Sequence, residues 1–261
     1  MTEKYITASE AIEVSGLPSA TFYRYANEGK IKRHYPSLVS KHAMYSYREA
    51  ANLRSKIKHE TIPTETSESD WIKSSDVGNM YNLEYKEYGD ETGDPSIVRK
   101  WYERNPYICR VLFNKTDRRD FWGAINMLPL REETIYKLLK GEIQDVDLDP
   151  QKDILTFDSP GKYNFYVASV IITPEKKQHF PTLINGLFDF WVEQAPNKTI
   201  SKIYGRIVSE GGELMAKKLF FSPRWDISDT AFMLDMNRPN PSRLIQSLQY
   251  AIKQKQIATA N

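Results

Sequence analysis

A chain of 261 residues holds one large domain, or a small module beside a domain of ordinary size. With 40% hydrophobic and 27% charged residues it has the balance of a globular protein, and apolar runs such as Val170-Ile171-Ile172 are far too short to span a bilayer. Cys109 is the single cysteine, which excludes an internal disulfide and a cysteine-rich metal site, and the Met1-Thr2-Glu3-Lys4-Tyr5 start lacks an apolar secretory core; both point to the cytoplasm.

The net charge of +2 names no partner, but its distribution does. Residues 1–58 hold ten Lys and Arg against five acids, a charge of +5 that leaves −3 for the remainder. A basic first fifth on an acidic body is the electrostatic footprint of a nucleic-acid-binding module.

Taken in chain order, Thr7-Ala8-Ser9-Glu10 predicts a helix opened by a capping box, and Gly16 ends it. Ser19 reads as the N-cap of a second helix over 20–28, with Gly29 past its end. Phe22, Tyr25 and Ala26 share one stripe of that helix and pack inward, while Ser19, Thr21, Tyr23 and Arg24 lie outside it. Residues 31–35 and 43–47 read as short strands of a wing that brings Lys32, Arg33, Lys41 and His42 to phosphates, and Arg48 starts another helix. Residues 59–70 are polar, carry Pro63 and show no apolar periodicity, so they read as a linker between a module at 1–58 and a domain at 71–261.

In the second domain the pattern predicts a helix over 98–104, a hairpin of strands 108–113 and 121–128, and a helix over 132–139 stopped by Lys140-Gly141. A strand at 164–173, a helix at 180–194, a strand at 200–208, a helix at 212–219 and a strand at 231–234 follow, and a helix over 241–255 closes the order. This succession means a mixed sheet with helices on its faces. Trp101, Trp122 and Trp191 read as core, and the acidic runs Glu132-Glu133 and Asp145, Asp147, Asp149 as solvated faces.

Two family resemblances rest on these residues. Thr7-Ala8-Ser9-Glu10-Ala11 followed by Thr21-Phe22-Tyr23-Arg24-Tyr25-Ala26-Asn27-Glu28-Gly29-Lys30-Ile31 resembles the MerR/excisionase class of winged helix-turn-helix, over about residues 5–54. The resemblance implies a recognition helix in the major groove of double-stranded DNA, with Ser19, Thr21, Tyr23 and Arg24 facing the bases. A protein-binding adaptor is the alternative.

The second resemblance is to the GNAT-type N-acetyltransferases. It is carried by Tyr166-Val167-Ala168-Ser169-Val170-Ile171-Ile172-Thr173-Pro174-Glu175, by Ile203-Tyr204-Gly205-Arg206-Ile207-Val208-Ser209, and by Gly211-Gly212-Glu213-Leu214-Met215-Ala216 with its continuation to Pro223. It implies acetyl-CoA as cofactor, with Val170, Ile171 and Ile172 against the pantetheine arm and Lys176, Lys177, Gln178 and His179 at the pyrophosphate. Glu175 and Ser169 are then the catalytic candidates toward an amine acceptor. The chain departs from the family where Phe180 and Thr182 replace the small residues of the phosphate loop, Pro181 removes an amide donor, and Ala216 stands for the helix-borne tyrosine.

The expectation is therefore an α+β two-domain protein: a small winged helix-turn-helix plus a GNAT-like mixed β-sheet flanked by helices. It would act as a homodimeric DNA-binding transcriptional regulator with a degenerate acyl-CoA loop. The alternative is an active acetyl-CoA-dependent N-acetyltransferase acting on an amine or a protein lysine.

Overall fold

Thr7 opens the first helix as its sequence requires: its backbone N–H donates to Glu10 Oε2 at 2.8 Å, and Glu10 N–H donates back to Thr7 Oγ1 at 3.4 Å. The computed structural model describes residues 3–36, 42–59 and 65–260, so Lys41 and most of the expected wing loop lie outside the described residues. Chain contacts divide the molecule into two units, Met1–Glu65 and Thr66–Asn261.

The first unit runs β1 (Tyr5–Ile6), α1 (Ala8–Ser15), α2 (Ser19–Asn27), β2 (Arg33–His34), β3 (Met44–Ser46) and α3 (Tyr47–His59). Gly16, at φ +62°, closes α1 in the left-handed region that a residue without Cβ adopts freely. Ser19 does not cap α2. It is the first helical residue after Pro18, whose carbonyl accepts from Phe22 N–H at 2.9 Å, and no side chain caps this end. β3 lies between β1 and β2, both antiparallel to it, and Tyr45 faces Ile6 on one side and Arg33 on the other. Phe22, Ala26, Ile31, Tyr45 and Leu53 close the core of this unit.

The second unit is a seven-stranded sheet flanked by helices. Its elements are β4 (Ser67–Trp71), α4 (Val77–Tyr88), α5 (Pro95–Arg104), β5 (Cys109–Asn114), β6 (Asp117–Pro129), α6 (Glu132–Lys140), β7 (Gly161–Ile172), α7 (Phe180–Gln194), β8 (Lys198–Arg206), α8 (Glu210–Leu219), β9 (Ser222–Pro223), β10 (Ala231–Asp235) and α9 (Arg243–Ala260). The strands lie in the order β4-β5-β6-β7-β8-β10-β9. β7 and β8 run parallel, and the remaining neighbours are antiparallel.

Each face of the sheet has its own core. Met80, Trp101, Leu138 and Tyr166 pack on the face covered by α4, α5 and α6, with Cys109 fully buried among them. Trp122, Phe165, Leu183, Trp191 and Leu248 pack on the opposite face, under α7 and α9.

Two elements correct the sequence reading. Ser67–Trp71, whose first four residues were expected to end a linker, is the edge strand β4, paired with β5 from Ser67 opposite Asn114 to Trp71 opposite Arg110. The helix α4 was not expected at all; it buries Val77, Met80 and Leu83. Gly186 explains how closely α7 approaches β4, since a Cβ there would collide with Ser69 Oγ and the Arg110 guanidinium.

Candidate functional site

The parallel pair opens at one end. Its last partners are Val167 and Gly205, yet β7 continues to Ile172. Beyond Gly205, β8 follows β10 instead: Arg206 lies opposite Ala231, and Ile207 N–H donates to Thr230 O at 2.9 Å. Ala168 is an extra residue in β7, because Val167 faces Met127 while Ser169 faces Asn126 on β6. Val170, Ile171 and Ile172 are thus paired to β6 on one edge, and no described strand pairs with them on the other.

The turn leaving β7 is a 3-10 helix over Pro174–His179, held by Lys176 N–H donating to Thr173 O at 2.8 Å. Two of its basic side chains lie on Trp122: Lys176 Nζ is 4.4 Å from the ring centroid and the His179 ring 4.8 Å. His179 Nδ1 is also 3.1 Å from Ser67 Oγ, which is 3.0 Å from Thr182 Oγ1. The structure therefore gathers Lys176 and His179 against β6 and β4, while Glu175, Lys177 and Gln178 are exposed.

Ser169 lies two residues past the last β7–β8 pair, in a polar network that the sequence reading missed. Asn126 Nδ2 donates to Ser169 Oγ at 2.8 Å and to Glu84 Oε1 at 3.1 Å. Burial pushes the Glu84 carboxyl up to about 7, against the smaller opposing effect of the Asn126 bond. A carboxyl poised near neutrality exchanges its proton readily, which is what acid–base work demands. No motif announces Glu84, because it lies on the unexpected helix α4.

Within the acidic runs Glu133 and Asp147 are exposed as expected, whereas Glu132 and Asp145 are half-buried and engaged. Burial lifts Asp145 to about 6, against opposing help from Arg206 and a Tyr166 hydrogen bond. Glu132 accepts from Lys202 Nζ at 2.8 Å, from Tyr204 Oη, and from Tyr136 Oη at 3.3 Å. The Lys202 and Tyr204 bonds hold it below the usual carboxylate range. At the opposite end of β7 from Ile172, a cavity of about 350 Å³ is lined by Arg104, Tyr107, Phe157, Phe190 and Lys198. Among the described residues, no three His, Cys, Asp or Glu side chains converge as a metal site, and no helix is long and apolar enough to cross a membrane.

In the first unit Ser19, Tyr23 and Arg24 are exposed on α2 and Thr21 is half-buried. Arg24 sits 3.8 Å from Glu28 and 5.0 Å from the Tyr25 ring centroid. Lys32, Arg33 and His42 are exposed, with Arg33 donating to Asn27 Oδ1 at the end of α2.

No protein-family model matches the chain, and no curated protein does. Among solved structures it is similar to the GNAT-family N-acetyltransferase YhbS of Escherichia coli in complex with CoA, at 9% identity and a TM-score of 0.43, over 68% of this chain and 85% of that one. It is also similar to a GNAT-family acetyltransferase of Staphylococcus aureus (8% identity, TM-score 0.41, 65% and 99% of the two chains). A third is the loading GNATL domain of CurA from Lyngbya majuscula (11% identity, TM-score 0.39, 70% and 83%). Likeness this distant carries no weight of its own beside the geometry above.

Proposed function

We propose that the chain is a DNA-binding transcriptional regulator whose second unit is a GNAT-type, acyl-CoA-handling domain. The observation that carries the reading is the parting of β7 from β8 after Val167 and Gly205. An extended arm with amides, such as pantetheine, adds to an open strand edge as a further strand would. Val170, Ile171 and Ile172 supply that edge, and the N-acetyltransferase resemblance assigns them the same role.

The pyrophosphate end supports weak binding. A family phosphate loop offers free backbone amides at a helix N-terminus. Here Pro181 lacks its amide hydrogen, Lys176 N–H is spent on Thr173 O, and His179 is taken up by Ser67. Lys177 and Gln178 remain exposed as the partners for phosphate. Losing two charge-assisted hydrogen bonds, at roughly 1.5–3 kcal/mol each, weakens binding by about a hundredfold or more.

The first unit supports the DNA reading through the exposed Ser19, Tyr23 and Arg24 of α2 beside Lys32 and Arg33. A single module of this size spans little DNA, so a homodimer is the working form. The second reading, an active N-acetyltransferase with Ser169 and Glu175 serving an amine acceptor, is favoured by one observation: Ser169 is joined through Asn126 to a carboxyl that titrates near neutrality.

Titration calorimetry of the full chain with acetyl-CoA tests the proposal. Saturable but weak binding without turnover is expected. Tight binding with acetylation of an amine would establish the enzyme instead, and absence of any binding would remove the acyl-CoA reading.

A further inference from the structure

The geometry points to Ser169 as the hydrogen-bond donor for the acyl carbonyl of a ligand in the β7–β8 opening, with Glu84 setting that donor through the Asn126 amide. The ligand side of this inference rests on the acyl-CoA reading above.

Asn126 Nδ2 has two hydrogens, and its neighbours Glu84 Oε1 and Ser169 Oγ, at 3.1 and 2.8 Å, use both as acceptors. Ser169 then accepts from Asn126, and its own hydroxyl hydrogen is left to donate. Ser169 is a half-buried residue two positions past the last β7–β8 pair, on the stretch of β7 whose second edge no described strand covers.

Protonation of Glu84 reverses the chain of bonds. With the hydrogen on Oε1, the oxygen that faces Asn126, the neutral carboxyl donates, and the carboxamide turns to set its own oxygen between Glu84 and Ser169, where it accepts from both. The Ser169 hydroxyl hydrogen is then consumed inside the protein. One proton, taken from solvent onto Glu84, removes one donor from the opening. Asn126 is 7% exposed, so water cannot replace either bond at its amide.

Burial raises Glu84 to about 7, which sets the pH at which this reversal occurs. The phenols and the thiol that face it stay neutral there. Burial pushes Tyr88 of α4 up to about 12, and lifts Tyr102 of α5 and Cys109 of β5 well above their usual range. Asp76, before α4, is paired with Arg118 at 2.8 Å.

Two measurements on the full chain test this. The first follows the Asn126 side-chain amide by NMR, with asparagine-selective ¹⁵N labelling and no ligand, from pH 5.5 to 8.5. A titration with its midpoint near 7 is expected, absent in Glu84→Gln; an Asn126 amide that does not titrate overturns the switch. The second measures the ratio of acetyl-CoA to CoA affinity, which cancels the titration of the CoA phosphates. One hydrogen bond to the carbonyl raises this ratio by about fivefold at pH 8 over pH 6. Ser169→Ala should lose the increment and Glu84→Gln should lose its pH dependence, whereas Asp145→Asn should keep both. CoA binding with a ratio that ignores pH overturns the role of Ser169 while the acyl-CoA reading stands. Failure of both ligands to bind overturns that reading, and the ligand role with it.

Discussion

At Phe220 the backbone does what its side chain disfavours. Its φ of +57° lies in the left-handed region at the end of α8, where Phe220 N–H donates to Lys217 O at 3.2 Å and Phe221 N–H to Ala216 O at 2.9 Å. Glycine adopts this conformation freely, whereas a Cβ costs about 1–2 kcal/mol, and Phe220 recovers little of that by packing because half its surface is exposed. Phe220→Gly should therefore stabilise the protein by about 0.5–1 kcal/mol, and Phe220→Val should destabilise it. Urea unfolding followed by tryptophan fluorescence reads both, and a destabilised glycine variant would show that the ring packs more than its exposure suggests. Ser169 and Glu84 give the same lesson from the other side. One was legible as a polar residue on an apolar strand, while the other acquires its character only where α4 crosses β6.

Among the elements, α2 and the β2–β3 pair with the residues beside it carry the DNA reading. Arg24, Lys32 and Arg33 are exposed cations on them, and each that meets a phosphate releases about one counterion. In the homodimer these cations occur twice, so the logarithm of duplex-DNA affinity should fall against the logarithm of salt with a slope of about −5, and Arg24→Ala and Lys32→Ala should each reduce its magnitude by about two. Fluorescence anisotropy of a labelled duplex between about 50 and about 200 mM salt would decide it. Salt-independent binding, or none at the lowest salt, would leave the first unit as a protein-binding adaptor. The element α7 teaches a different point. Its N-terminal turn, expected at a phosphate, is engaged by β4 through Ser67, Thr182 and His179, because Gly186 lets the helix sit close to that edge strand.

Over the whole molecule, stability and protonation are linked through the buried carboxyls. Glu84 has a folded value of about 7 against an ordinary 4.5, so between those two pH values the folded state binds more protons than the unfolded one. Its contribution is fully present below pH 4.5 and is lost as pH rises through 7. Asp145, lifted to about 6, acts in the same direction over a lower window. Glu84→Gln removes the exchange: the variant should match the parent near pH 5 and exceed it near pH 8 by roughly 1–3 kcal/mol, or about 3–8 °C in Tm. All five tryptophans lie at or beyond Trp71, so their fluorescence follows the second unit alone. A gap between parent and variant that does not change with pH would show that the Glu84 carboxyl is solvated.

What local sequence determines here is what nearest neighbours decide. The Thr7–Glu10 box, the Gly16 stop, the Phe22 and Ala26 stripe, and the apolar periods of β7 and α7 involve residues a few positions apart, and each is realised in the structure. The exposed surface of α2 and the burial of Trp101, Trp122 and Trp191 follow from the same periodicities. Tertiary structure decided the rest. Ser67–Trp71 is too polar to announce a strand and becomes one only because β5 offers a ladder for its backbone. The stripe Val77, Met80 and Leu83 is too thin among polar and aromatic residues to announce α4, and it is completed by the sheet that covers it. The parting of β7 from β8, the Ala168 bulge and the elevated carboxyls of Glu84 and Asp145 depend on residues brought together from distant stretches of chain. Pairing register and desolvation are properties of the packed sheet, and a local pattern of residue types carries neither.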